Sequence, residues 1–198
     1  MAAGTHYDLT PVYKPEEFYR VDTGVRKSGP WKLDITNLVV GSFLPVFTPV
    51  EADLVKRTLV PVRNIKVVEA YTTGADALSI KIAKESLAYV GMFIGSGKKG
   101  AKVAAIDKSN KNYDLLTIEA AFGENIAKDT VLFEATAVGG TAKKNTANFV
   151  LYDAKKVEEG AVLPTLLMQA YEVKESKLIL PIHELDKVGL TSRFQFEY

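Results

Sequence analysis

The sequence predicts a mainly β protein: an antiparallel β-sandwich or barrel of short strands, with an extended N-terminal arm and at most short helices. Three observations carry that prediction. Short apolar or alternating runs recur at close spacing after Gly41. Clusters of Gly, Asn, Asp and Ser separate them, as turns require. Long patterns with a helical period are few, so sheets must bury the core.

Residues 1–40 read as the arm and residues 41–198 as the β-rich domain, with a further division admitted near 137–148. Tyr7, Tyr13, Phe18, Tyr19 and Trp31 are scattered among Pro11, Pro15, Pro30, Gly24 and Gly29. Rings without regular periodicity must be buried against something. The arm either wraps its own domain or docks on a neighbouring subunit, and the residues leave both open.

Residues 43–50 carry Pro45 and Pro49 and read as an edge strand or extended loop. Residues 54–59 read as a helical turn and 60–71 as a strand rich in β-branched side chains. After a turn at 74–76, residues 78–82 alternate cleanly. Residues 87–94 are apolar on both parities, which fits a strand buried on both faces or a short buried helix. Strands follow at 101–106, 114–120 and 130–135, with a turn at 107–114 and a polar loop at 139–148. A helical turn is expected at 154–159, ended by Gly160. Further strands are expected at 166–173, 177–182 and 192–198, with a turn or one helical turn at 184–187. In the last strand Phe194, Phe196 and Tyr198 share one face, opposite Arg193, Gln195 and Glu197. No fixed-period repeat is evident.

Composition narrows the function classes. The 198 residues are 47% hydrophobic and 25% charged, which suits an ordinary globular core. Net charge is +1, so no global field points to nucleic acid or an anionic membrane. Cysteine is absent, which removes disulfides, thiolate nucleophiles and cysteine metal sites. No signal peptide is read at the start, and no apolar run approaches the ~20 residues that span a bilayer. The expectation is a protein made in the cytoplasm, with no membrane and no nucleic-acid partner.

The motif inventory contains no catalytic, cofactor-binding or metal-binding constellation. Gly95-Ser96-Gly97-Lys98-Lys99-Gly100 matches GxGxxG, but a dinucleotide site needs a helix after it, and residues 101–106 read as a strand. A hairpin tip is the better reading. The run from Asp107 to Asp114 lacks the spacing of a calcium loop, and Lys108 and Lys111 would repel the ion. Lys84, Lys98, Lys99, Lys102, Lys108 and Lys111 make this region basic, but only Tyr113 offers a ring for base stacking. Solvated hairpin tips explain them better. His6 and His183 lie far apart in sequence, and a surface or strand-end position is expected for His183. Glu16-Glu17 and Glu158-Glu159 read as solvated faces. A β-rich chain without visible chemistry points to a structural or interaction protein and not to an enzyme.

Several segments taken in order carry a resemblance. They are residues 18–29 (FYRVDTGVRKSG), 87–95 (LAYVGMFIG), 105–110 (AIDKSN), Tyr113-Asp114, 129–135 (DTVLFEA) and 178–182 (LILPI). Together they resemble the head fiber or head decoration proteins of tailed bacteriophages and prophages of gut anaerobes. The resemblance implies a virion structural protein at the head surface that self-associates and binds the major capsid protein or other virion proteins. It implies no catalytic residues and no cofactors. A homo-oligomer is expected, with a trimer suggested by capsid local symmetry. The chain has no heptads and no elongated repeat array, so a compact decoration or base module suits it better than a shaft. The alternatives are a tail- or baseplate-associated module, a carbohydrate-binding β module and, more remotely, an enzyme.

Overall fold

The structure is a computed structural model that describes residues 14–27 and 29–197. Tyr7, Tyr13, His6 and Tyr198, named above, lie outside the described residues. Along the chain run β1 (Arg20–Lys27), β2 (Lys32–Leu33), β3 (Phe43–Leu44), β4 (Pro49–Asp53) and β5 (Thr58–Pro61). Then come β6 (Asn64–Lys66), β7 (Ser79–Ile82), β8 (Phe93–Gly95), β9 (Gly100–Asp107), β10 (Asp114–Ile118) and β11 (Val131–Glu134). Last come β12 (Phe149–Leu151), β13 (Lys155–Lys156), β14 (Leu166–Lys174), α1 (Glu184–Leu190) and β15 (Phe194–Glu197).

These strands form two principal sheets. The first has seven strands in the order β1-β14-β12-β4-β5-β2, with β15 joined to β14 in parallel. The second has six, β6-β11-β8-β9-β10-β7. Its two end strands meet at the bridge between Val67 and Ile82, where Val68 N donates to Lys81 O at 3.0 Å and Ala83 N to Lys66 O at 2.8 Å. That contact curls the sheet toward a barrel and covers edges that would otherwise be open. Alternate residues point inward: Ile65, Ile80, Ile82, Ile94, Val103, Leu116 and Leu132 belong to one buried cluster. The first sheet is covered on both faces. Val150 enters a cluster with Phe47, Leu167 and Phe194, whereas its neighbours Phe149 and Leu151 enter one with Trp31, Leu33 and Val50.

The described part of the arm packs in cis. β1 lies antiparallel on β14, and Phe18, Tyr19 and Trp31 are buried in the chain's own cores. Burying each such ring stabilises by about 1.5–3 kcal/mol.

Most strand expectations hold, and the exceptions have local causes. Residues 43–50 do not form a sheet edge at Pro49: β4 is internal, between β12 and β5. Proline fits there because it opens the strand, and its carbonyl still accepts from Val62 N at 2.8 Å. Residues 54–57 form a hairpin loop and not a helical turn, because the Asp53 carboxylate takes the amides of Val55 and Lys56 at 2.9 and 3.0 Å. The strand expected at 60–71 splits at Val62-Arg63, where the chain crosses from the first sheet to the second. In 87–94 only Phe93 onward is strand. Gly91 turns the chain with φ +90°, and Val90 is left exposed on the bend. Residues 155–156 are a strand on β3 and not helical, held by Val157 N donating to Ser42 O at 2.8 Å. Residues 177–182 form no strand. Pro181 has no N–H for a ladder, and its carbonyl accepts from the Asn64 side chain instead.

Candidate functional site at the junction of the two sheets

The chain crosses from the first sheet to the second at Val62-Arg63, just before β6 pairs with β11, and polar side chains are buried there. The first group is built on Arg63, just before β6, and Glu134, which ends β11. Both side chains are 4% exposed, and Arg63 Nη1 lies 3.1 Å from Glu134 Oε2. The other guanidinium end donates to the Thr36 carbonyl at 2.6 Å, tying the segment after β2 to the junction. Glu134 Oε1 accepts from the Tyr89 hydroxyl at 2.7 Å and from Lys144 Nζ at 2.8 Å. Burial pushes the Glu134 carboxyl up, but the hydrogen bonds from Lys144 and Tyr89 and the Arg63 charge outweigh it and hold the group below its usual range. Tyr89 is raised, first by burial and then by its bond to Glu134.

The second group joins three elements: Asn64 of β6, Lys143 of the loop after β11, and Asp186 of α1. Asp186 is fully buried and Lys143 is 4% exposed. Asp186 Oδ2 accepts from Lys143 Nζ, from Asn64 Nδ2 at 2.8 Å and from His183 N at 3.2 Å. Its Oδ1 accepts from Ala147 N at 2.9 Å. His183 caps α1, its Nδ1 accepting from Leu185 N at 3.0 Å, and its ring stands edge-on to Phe133 at 5.1 Å. The histidine is therefore half-buried at a helix start and not on the surface. Burial lowers the Lys143 ammonium below its usual range, and Asp186 restores only part of that. Burial and the nearby Lys143 charge lower His183 as well.

The motifs singled out in the sequence lie elsewhere. Gly95-Ser96-Gly97-Lys98-Lys99-Gly100 is the tip between β8 and β9, with Gly95 paired to Gly100. Its amides are engaged: Gly97 N donates to Gly140 O at 3.0 Å, and Lys98 N and Lys99 N donate to Ser96 Oγ at 3.3 and 3.2 Å. A phosphate would find those donors already taken. Gly95 and Gly100 serve close packing, while Gly97 supplies a positive φ of +91° for the turn. A Cβ on Gly95 would stand 2.4 Å from the Gly140 carbonyl oxygen.

The β9–β10 loop holds a cation of its own. Lys84 Nζ lies 2.5 Å from the buried Asp114 carboxylate and also donates to the carbonyls of Lys108 and Asn110 at 3.1 and 3.0 Å. Lys84 is thus a partly buried strut and not a free hairpin tip. Lys102 pairs with Glu119 at 2.6 Å, while Lys98, Lys99, Lys108 and Lys111 are exposed. Tyr113 is partly buried under Lys81, 5.1 Å from its ring. Glu16, Glu17, Glu158 and Glu159 are exposed.

A cleft of about 460 Å³ opens beside β2 and β5 and is lined by Leu33, Ile35 and Val60 together with Lys32 and Asp34. Asp34 spends its carboxylate on Thr36 N at 2.9 Å, and that local bonding lowers its affinity for a proton. Among the described residues no three His, Cys, Asp or Glu side chains are placed to hold a metal ion, and no helix is long and apolar enough to cross a membrane. Trp31 and Tyr19 are each 2% exposed, so neither ring offers a stacking platform for sugars.

Sequence reasoning missed Arg63, Asn64, Glu134, Lys143, Lys144 and Asp186, which sit in unrelated local contexts. The expected strands at 60–71 and 130–135 put Arg63, Asn64 and Glu134 in apolar runs, but nothing in the sequence brought them to Lys143, Lys144 and Asp186.

A family model described as head fiber protein matches residues 3–195. No curated protein and no solved structure matches the chain.

Proposed function

The chain belongs to the head fiber protein family, and from that premise we propose that it works as a compact module on the capsid surface, binding the capsid and further copies of itself. The family makes it a structural protein of the phage virion head and not an enzyme. The match over residues 3–195 is the observation that carries the reading, because it spans both sheets and not one motif.

The surface supports the finer part. β1 is an end strand of the first sheet, so among the described residues no strand pairs with its outer side. Val21 and Val25 stand exposed along it, and Val39, Val40, Val55 and Val188 are exposed elsewhere. Exposed strands with apolar residues are ready partners for another chain. Charges on β1 set the terms: Arg20 pairs with Asp22 at 2.8 Å and Glu172 at 3.3 Å, which disfavours indiscriminate pairing. A trimer is the expected assembly. A specific interface of this kind buries on the order of 1,200–2,000 Å².

Cryo-EM of the parent virion tests the reading, with density for both sheets expected on the outer head. Light scattering of the purified protein should give a multiple of the chain mass. A strict monomer that does not sediment with capsids would overturn the proposal.

A further inference from the structure

We propose that Lys143 and Asn64 form an intramolecular isopeptide bond, with Asp186 as the acid–base residue that makes it. The reason is a juxtaposition of three groups. One carboxylate oxygen, Asp186 Oδ2, is hydrogen-bonded both to the amine nitrogen of Lys143 and to the amide nitrogen of Asn64, the latter at 2.8 Å. The same amine donates to the amide oxygen of Asn64 at 3.0 Å. Nucleophile, electrophile and proton carrier thus touch one another in a site where Asn64 is 2% exposed and Asp186 fully buried.

The orientation of the carboxamide is set by its neighbours. Asn64 Nδ2 donates to the Pro181 carbonyl at 2.9 Å as well as to Asp186. A flipped amide would aim its oxygen at a carbonyl and a carboxylate, so nitrogen must face Asp186 and oxygen must face Lys143. The amide carbon lies one C=O bond, about 1.2 Å, behind that oxygen. Attack requires the carboxamide to turn so that this carbon, in place of the oxygen, faces the amine.

The chemistry needs a neutral amine. Phe133 is fully buried, and its ring lies 5.9 Å from Lys143 Nζ. In such a setting a charged pair is costly, and moving a proton from the ammonium to Asp186 leaves a neutral amine and a neutral acid. The lowered proton affinity of Lys143 acts in the same direction. The amine lone pair then attacks Asn64 Cγ, and the C=O electrons move onto Oδ1. Asp186 gives its proton to Nδ2 and takes the one released by Nζ. The Cγ–Nδ2 bond breaks, ammonia leaves, and the carbonyl re-forms. One amine and one primary amide become one secondary amide and one ammonia, with no oxidant and no cofactor. Proximity of this quality replaces an external catalyst.

The bond would join β6 to the loop after β11 and enclose the whole six-stranded sheet in a covalent ring. It would hold that sheet closed where it meets α1.

The purified full-length protein, denatured and weighed intact, should be lighter than its sequence by one ammonia. Its tryptic digest should contain a branched peptide joining the segments that carry Asn64 and Lys143. Lys143→Arg and Asp186→Asn should each restore the full sequence mass and abolish the branched peptide. A succinimide at an asparagine also loses ammonia but forms no branch. A mass deficit that survives Lys143→Arg would therefore overturn the proposal. So would wild-type protein that keeps its full mass after long incubation in the folded state. The wild-type digest decides the question even if neither variant folds.

Discussion

The curled six-stranded sheet is made from one unbroken stretch, residues 64–135, whereas the seven-stranded sheet draws its strands from both ends of the chain. In the first case β8, β9 and β10 pair with their neighbours in sequence, so each turn sets the next register. In the second, β1 lies on β14 and β12 on β4, with about a hundred residues or more between partners. The curled sheet buries alternate residues in one interior. The other has internal strands such as β12 that are buried on both faces and show no alternation. Local pairing is cheap in loop entropy and readable from pattern, while distant pairing costs more and leaves little local trace.

Removing residues 1–30 should break the comparison most strongly. The seven-stranded sheet would lose β1, Phe18 and Tyr19, and near-UV circular dichroism should show loss of its tertiary packing. Amide exchange in residues 64–135 should stay more protected than elsewhere, and equal loss in both regions would show that the two sheets fold as one unit.

Glu134→Ala should come next, at about 3–5 kcal/mol, because it strands the buried Arg63 guanidinium without its carboxylate. Urea titration measures the loss, and a cost under about 1 kcal/mol would mean that the junction is not load-sharing. Gly95→Val should cost about 1–3 kcal/mol by driving a side chain into the Gly140 backbone. Thermal melting checks it.

Acidification should be milder, and its sign follows from two groups. Burial lowers His183 in the folded state, so the unfolded chain binds the proton more tightly and stability falls as pH drops below the ordinary histidine value of about 6.5. Glu134 is also lowered in the folded state. Its contribution is present above its unfolded value of about 4.3 and is lost as pH falls through the lower folded value. Melting temperature across this range should decline in two stages, and His183→Gln should remove the upper one. The smallest effect on the monomer is expected for Val55→Ser. Val55 is 92% exposed, so stability should change by less than about 0.5 kcal/mol, while any assembly that uses this loop would weaken in light scattering.

Reading the residues alone found the β class, the strands at 78–82, 101–106, 114–120 and 166–173, and the hairpin character of the glycine-rich tip. Those features follow from side-chain alternation and from turn residues, which act over a few positions. The helical expectation at 154–159 and the strand expectation at 177–182 failed where a distant partner decided the outcome. Phe43–Leu44 recruited the first into a sheet, and Asn64 took the Pro181 carbonyl from the second. The junction was illegible for the same reason. Asn64, Lys143 and Asp186 are separated by long stretches of chain; the apolar run around Asn64 marks a strand there, but nothing local brings the other two to it. Alternation and turn chemistry specify which segments become strands, because those effects are local. Which strands pair across the chain, and which charged groups share one dry site, depends on burial and contacts that exist only once both sheets have closed on their cores.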